Sequence, residues 1–140
     1  MLRVVLDANV FVSAYIRPEG PPGEIVERFV RDAAFEVVLS EPIVEEVLRA
    51  LAYPKVQKAV RSKVGAELWF EDIVVLSHLV TGDLDVPSIS VNPDDDKCIA
   101  AAIDWRATFV VTGDPDLLHL HEYANVQIVS PRACLNLLGT

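Results

Sequence analysis

Aspartate gathers at two places in the second half of this chain: the triple Asp94-Asp95-Asp96 ahead of a run of small apolar residues, and Asp114 and Asp116 within Thr112-Gly113-Asp114-Pro115-Asp116. Two further acidic points, Asp7 and the pair Glu45-Glu46, lie far upstream. Carboxylates that share a pocket repel one another, and without a cation at least one of them has its pKa pushed up. With oxygen ligands and no His or Cys pattern beside them, the ion such a group would hold is Mg²⁺ or Mn²⁺ rather than zinc. A site of this kind keeps bound water and takes substrate phosphate, so its natural chemistry is phosphoryl transfer or phosphodiester hydrolysis.

The elements that must position these acids follow from periodicity. Leu2–Leu6 is a nearly continuous apolar run, as a buried parallel strand shows, and it ends at Asp7. Ala8–Ile16 reads as a helix broken by the Pro/Gly-rich segment 18–23, and a second helix runs from about Gly23 to Asp32. A strand at Phe35–Leu39 leads to Ser40, a good N-cap for a helix over Glu41–Ala52 with Pro42 in its first turn. Val44, Val47, Leu48 and Leu51 make that helix's apolar stripe, and Glu45 and Glu46 flank it on opposite sides, so periodicity does not choose between them. Beyond Tyr53-Pro54 a longer helical region runs to about His78, with Leu68, Val75 and Leu79 expected inside. Thr81–Val91 reads as a connection with a short strand at Ile89–Val91. The rest alternates: helix 93–105, strand Phe109–Val111, helix 115–119, strand Val126–Val129 and helix Pro131–Leu138. This pattern predicts one domain over residues 1–140, a three-layer α/β/α architecture with a mainly parallel central sheet.

Each acid has a structural role to weigh against a chemical one. Asn92 as N-cap, Pro93 at N1, and Asp94 and Asp95 in the first turn make a good helix start, where the helix dipole favours anions. Asp96 differs, because it shares a face with Ile99, Ala100 and Ile103, the face directed at the core. An acid there needs a partner, and no excess of nearby basic residues offers one, so a metal ion is the simplest. Asp114 follows an apolar strand, as Asp7 does; alone it would read as a turn residue before Pro115, and Asp116 as a cap. Asp7, Asp96 and Asp114 each fall where a parallel sheet hands over to its next element on one edge, and one shared site accounts for all three.

Composition narrows the rest. At 140 residues and 51% hydrophobic, the chain can bury a proper core. A net charge of −9 argues against a broad duplex-DNA surface, though not against nucleic acid as substrate. Arg17, Arg28, Arg31, Lys55, Lys58, Arg61 and Lys63 are the bases available to grip RNA, and most read as solvated helix faces. No apolar run is long enough to cross a bilayer and the N-terminus is not a signal peptide, so a cytoplasmic protein with no membrane partner is expected. Cys98 and Cys134 read as buried free thiols. His78, His119 and His121 are scattered outside the acidic group, and there is no P-loop and no Gly-x-Ser-x-Gly elbow. A haloacid-dehalogenase-type phosphatase would want an Asp where Asn9 stands, and a receiver domain would need an acid pair before its first helix.

The sequence resembles the PIN-domain ribonucleases, close to the VapC-type toxins of prokaryotic toxin–antitoxin pairs. The segments that carry the resemblance are V-V-L-D-A-N-V at the start, S-E-P-I-V-E-E-V-L in the middle, then P-D-D-D-K-C-I-A-A-A, V-V-T-G-D-P-D-L-L and I-V-S-P-R-A, in that order along essentially the whole chain. The resemblance implies Asp7 as the first metal-site acid with Asn9 supporting it, Glu46 rather than Glu45, Asp96, and Asp114 with Thr112 as its supporting hydroxyl. It further implies Mg²⁺- or Mn²⁺-dependent cleavage of single-stranded RNA to a 5′-phosphate and a 3′-hydroxyl, a possible antitoxin partner and a homodimer. Two departures stand out: Cys98 where relatives often carry a larger apolar residue, and Asn92 where a further acid is common. The rival expectation is a non-catalytic module that binds RNA or protein and holds a structural cation.

Overall fold

The computed structural model describes residues 1–60, 65–83 and 96–139. Its centre is β1 (Arg3–Leu6), whose Val4, Val5 and Leu6 are fully buried. On one side β1 pairs in parallel with β2 (Glu36–Ser40), which pairs in parallel with the short edge strand β3 (His78–Val80). On the other side lies β4 (Phe109–Val111), then β6 (Val126–Val129), both parallel, and the antiparallel two-residue β5 (Glu122–Tyr123) closes that edge. The sheet order is β3-β2-β1-β4-β6-β5, a mainly parallel sheet of three-layer α/β/α type.

This order makes β1 the turning point. The chain moves outward from β1 to β2 to β3, then crosses back to β4 on the far side of β1 and moves outward again to β6. Because parallel crossovers are right-handed, the helices before β3 and the helix before β4 lie on opposite faces. The C-terminal ends of β1 and β4 therefore border the crevice in which open α/β sheets bind ligands.

The helices follow their local signals. α1 (Ala8–Ile16) starts at Asp7, whose carboxylate accepts from the Ala8 amide at 2.7 Å. α2 (Pro21–Asp32) begins two residues ahead of expectation, since Pro21 and Pro22 occupy first-turn positions where proline costs no hydrogen bond. Gly23 is required there: a Cβ would lie 2.1 Å from the Pro18 carbonyl oxygen. α3 (Glu41–Leu51) is capped by Ser40, as its sequence predicts, but buries Ile43, Val47 and Leu51 and leaves Leu48 at the surface.

The expected long helix up to His78 is two described helices, α4 (Pro54–Ala59) and α5 (Ala66–Leu76), and His78 belongs to β3. Leu68, Val75 and Leu79, expected inside, are exposed. Glu67, Glu71 and Asp72 mark the outer face of α5, which Leu68 and Val75 share; Phe70, edge-on to Phe11 at 5.3 Å, and Ile73 take the core positions on the opposite face. α6 (Asp96–Asp104) buries Cys98, Ile99, Ala100, Ala101 and Ala102, small side chains that let it lie close across β1, β2, β4 and β6. α7 (Pro115–Leu118) and α8 (Pro131–Leu138) stand where expected. The strand expected at Ile89–Val91, the caps Asn92 to Asp95, and Arg61 and Lys63 lie outside the described residues. No described helix is long and apolar enough to cross a membrane.

Candidate active site

Asp7 is the most constrained acid in the molecule. It is buried at the end of β1, where its amide still donates to the Val111 carbonyl at 3.0 Å, and both carboxylate oxygens accept hydrogen bonds. Oδ1 takes the Ala8 amide and the Cys98 thiol, the latter at 3.4 Å; Oδ2 takes the Thr112 hydroxyl at 2.8 Å and the Asn9 amide nitrogen at 3.1 Å. A buried carboxylate that keeps its charge needs such donors.

Thr112, fully buried one residue beyond β4, joins the two strand ends. Its hydroxyl donates to Asp7 and accepts from the Asn9 side chain at 3.2 Å and from the Asp114 amide at 3.0 Å. Asn9 in turn accepts the Gly113 amide at 3.0 Å, so the loop after β4 is tied to the first turn of α1 from both sides. Asp114 is the N-cap of α7 and accepts the Asp116 amide at 3.0 Å. The capping role weighed for Asp114 is therefore real, and it leaves the second carboxylate oxygen for other use. Asp116 is exposed and enters the network through its backbone.

On the other flank, α3 and α6 meet. Glu46 forms an ion pair with Lys97, whereas Glu45 is exposed. Burial works to lower the Lys97 pKa, but the hydrogen bond and charge of Glu46, together with Cys98 and Asp7, outweigh it and hold the ammonium above its ordinary range. Burial, and then the negative charge of Asp7, push the Cys98 thiol well above its usual value, so it stays a neutral donor and not a thiolate ligand. Asp96 opens α6 and is half-buried.

The sequence missed the cation in this site. Lys97 is legible as the single base between Asn92 and Trp105, directly after the triple aspartate, and among the described residues its ion-pair partner is Glu46, not Asp96, the acid whose place in the sequence calls for one. The role of Cys98 was not legible, because a buried small thiol looks like any core residue until its neighbour is known. Among the described residues no three His, Cys, Asp or Glu side chains lie close enough together to hold a metal ion, so Asp7, Asp96 and Asp114 do not close into a three-ligand set. A hard divalent cation fits the donor types, which are carboxylates and a hydroxyl beside a protonated thiol.

Two clefts of about 390 Å³ flank this edge, one lined by Asn9, Gly113, Asp114 and Pro115, the other by Glu46, Arg49, Tyr53 and Lys97. Of the other bases considered for RNA, Arg28 and Arg31 are tied to Glu24 and Glu27 along their own helix, while Arg17, Lys55 and Lys58 are exposed.

Residues 3–116 match the family model described as PIN domain. Among curated proteins, an uncharacterised protein of Methanocaldococcus jannaschii, MJ1680, is 30% identical over 131 residues, covering 86% of this chain and 76% of that protein. Among solved structures, the crystal structure of VapBC2 from Rickettsia felis bound to a DNA fragment from their promoter superposes with a TM-score of 0.59 at 12% identity, covering 92% of this chain and 98% of the matched one. At that identity the likeness speaks for the fold.

Proposed function

The chain belongs to the PIN-domain family, and from that premise we propose that it is a Mg²⁺- or Mn²⁺-dependent endoribonuclease for single-stranded RNA, cytoplasmic, and the toxin of a toxin–antitoxin pair. The observation that carries the reading is the Thr112 hydroxyl, which ties Asp7 and the Asp114 backbone together across the ends of β1 and β4. Carboxylates that serve only as caps need no such brace.

In this reading Asp7, Asp96 and Asp114 hold the cation and Glu46 positions the attacking water. The chemistry a bound Mg²⁺ or Mn²⁺ supplies is activation of that water and stabilisation of the leaving oxygen. The chain's own part is positional. Asn9 and Thr112 fix the orientation of Asp7, and Lys97 holds Glu46 on the flank from which water approaches. Water attacks phosphorus in line, the P–O3′ bond breaks, the 3′ oxygen takes a proton and the phosphate stays on the 5′ side. Asp7→Asn should abolish cleavage of labelled RNA with Mn²⁺ present while circular dichroism reports a folded chain; full activity in that variant would sink the assignment.

The VapBC2 complex named above supports an antitoxin partner for this chain. Exposed Leu68, Val75, Leu76 and Leu79 support a homodimer, which sedimentation equilibrium would detect. A second reading, a non-catalytic RNA- or protein-binding module, is favoured by the Glu46–Lys97 ion pair, which neutralises one of the site's acids without any metal. Metal-dependent cleavage that chelator abolishes separates the two.

A further inference from the structure

The cleft on the α3 flank shares Glu46 and Lys97 with the chemistry proposed above, which leaves the rest of its lining without a role. It is open, holds about 390 Å³, and its wall is one side of α3, including Glu45, Glu46 and Arg49, with Tyr53 just past the helix end and Lys97 facing in from α6. A volume of this order lies within the range of small-molecule pockets. Two of its residues are unexplained by folding. Tyr53 leaves 57% of its surface exposed although its backbone is fixed as the N-cap of α4, with its carbonyl accepting the Val56 and Gln57 amides. Arg49 is exposed and forms no ion pair with a described residue, whereas Arg28 and Arg31 on α2 both do.

We propose that this cleft is a single-nucleotide subsite for the RNA strand beside the scissile bond, in which the Tyr53 ring stacks on a base and Arg49 holds the adjoining phosphate. This deepens the ribonuclease reading and rests on it for the location of the scissile bond. A cation and an exposed aromatic side by side are what proteins use to bind single strands without reading sequence. A base can stack on the Tyr53 ring only with one face free of its neighbours, which selects for a single strand. Lys97, paired with Glu46, cancels that acid's repulsion for phosphate where the cleft meets the other acids. On the far side of the acids, the cleft at Asn9, Gly113 and Asp114 leaves room for the strand to continue.

The test is binding of a fluorescein-labelled oligouridylate by anisotropy, over a series of salt concentrations. It is run in an Asp7→Asn background with Mg²⁺, so that the probe survives, and on the unaltered chain in EDTA. Tyr53→Ala should weaken binding about fivefold or more with the salt dependence unchanged, and Tyr53→Phe should restore it. Arg49→Gln should weaken binding and make the slope of log K against log salt shallower by about 0.7. The same sequence annealed into a duplex should bind more weakly than the single strand. Unchanged affinity in both Tyr53→Ala and Arg49→Gln, equal binding of duplex, or no binding in either format overturns the subsite. Binding with this signature but without metal-dependent cleavage keeps the subsite and sinks the ribonuclease reading. Asp7-dependent cleavage with no effect at positions 49 and 53 does the reverse.

Discussion

The edge where β1 meets β4 and the flank where α3 meets α6 carry comparable acids and hold them in opposite ways. At the strand edge Asp7 is buried and accepts four hydrogen bonds, three of them from neutral side chains, and Thr112 and Asn9 interlock around it. At the flank Glu46 is half-buried and held by one lysine beside an open cleft. Neutral donors in fixed positions orient a carboxylate without cancelling its charge, which is what a group awaiting a cation requires. An ion pair cancels charge and can be exchanged for another partner. In the proposed site, the strand edge is then the preorganised half and the flank the adjustable half.

The largest effect should come from the brace. Thr112→Val keeps the shape of the side chain but removes the donor to Asp7 and the acceptor for Asn9 and Asp114, at a fully buried position. A loss of about 2–3 kcal/mol in unfolding free energy is expected, read from urea denaturation, together with a fall in cleavage greater than that of any cleft variant. A stability within experimental scatter of the parent would erase the contrast between the two halves.

Glu46→Gln tests the other half. The pair with Lys97 is part-exposed on the glutamate side, so removing it should change stability by less than about 1 kcal/mol. Cleavage should nevertheless fall at least tenfold, because water positioning depends on the carboxylate and fold stability hardly does. Should Glu46→Gln unfold the chain as readily as Thr112→Val, the flank would be as rigid as the edge.

Much of this arrangement could be read in the sequence, and what escaped has physical causes. β1, β4, β6 and α8 stand out because buried strands and capped helices leave strong local marks: an apolar run ending at Asp7, Ser130 before Pro131. Asp7 and Asp114 were visible as acids following such runs. Leu68 and Val75 are exposed because they share the face of α5 that carries Glu67, Glu71 and Asp72, opposite Phe70 and its contact with Phe11, and Leu79 because it belongs to the edge strand β3 and not to the helix. β3 escaped because three half-exposed residues at a sheet edge carry no alternation. The Glu46–Lys97 pair joins residues fifty positions apart, and Cys98 to Asp7 spans ninety-one. Such contacts are fixed by the sheet order and by nothing local.

The smallest prediction uses a thiol outside both halves as a reference. Cys134 is buried in α8, and burial raises its pKa to about 11 against the pull of Arg28 in the opposite direction. In the unfolded chain the thiol releases its proton near its ordinary value of 9, while the folded chain retains it until about pH 11. Between those limits the unfolded state binds fewer protons than the native one, so stability falls as pH rises. Below pH 9 the effect is absent. Urea midpoints should therefore decline over this window, and Cys134→Ala should flatten part of the decline. The slope that remains belongs in part to Cys98, whose thiol is raised in the same direction by burial and by Asp7. If Cys134→Ala removes the whole decline, the hydrogen bond from Cys98 to Asp7 is not holding its proton, and the strand edge is less tightly preorganised than its geometry requires.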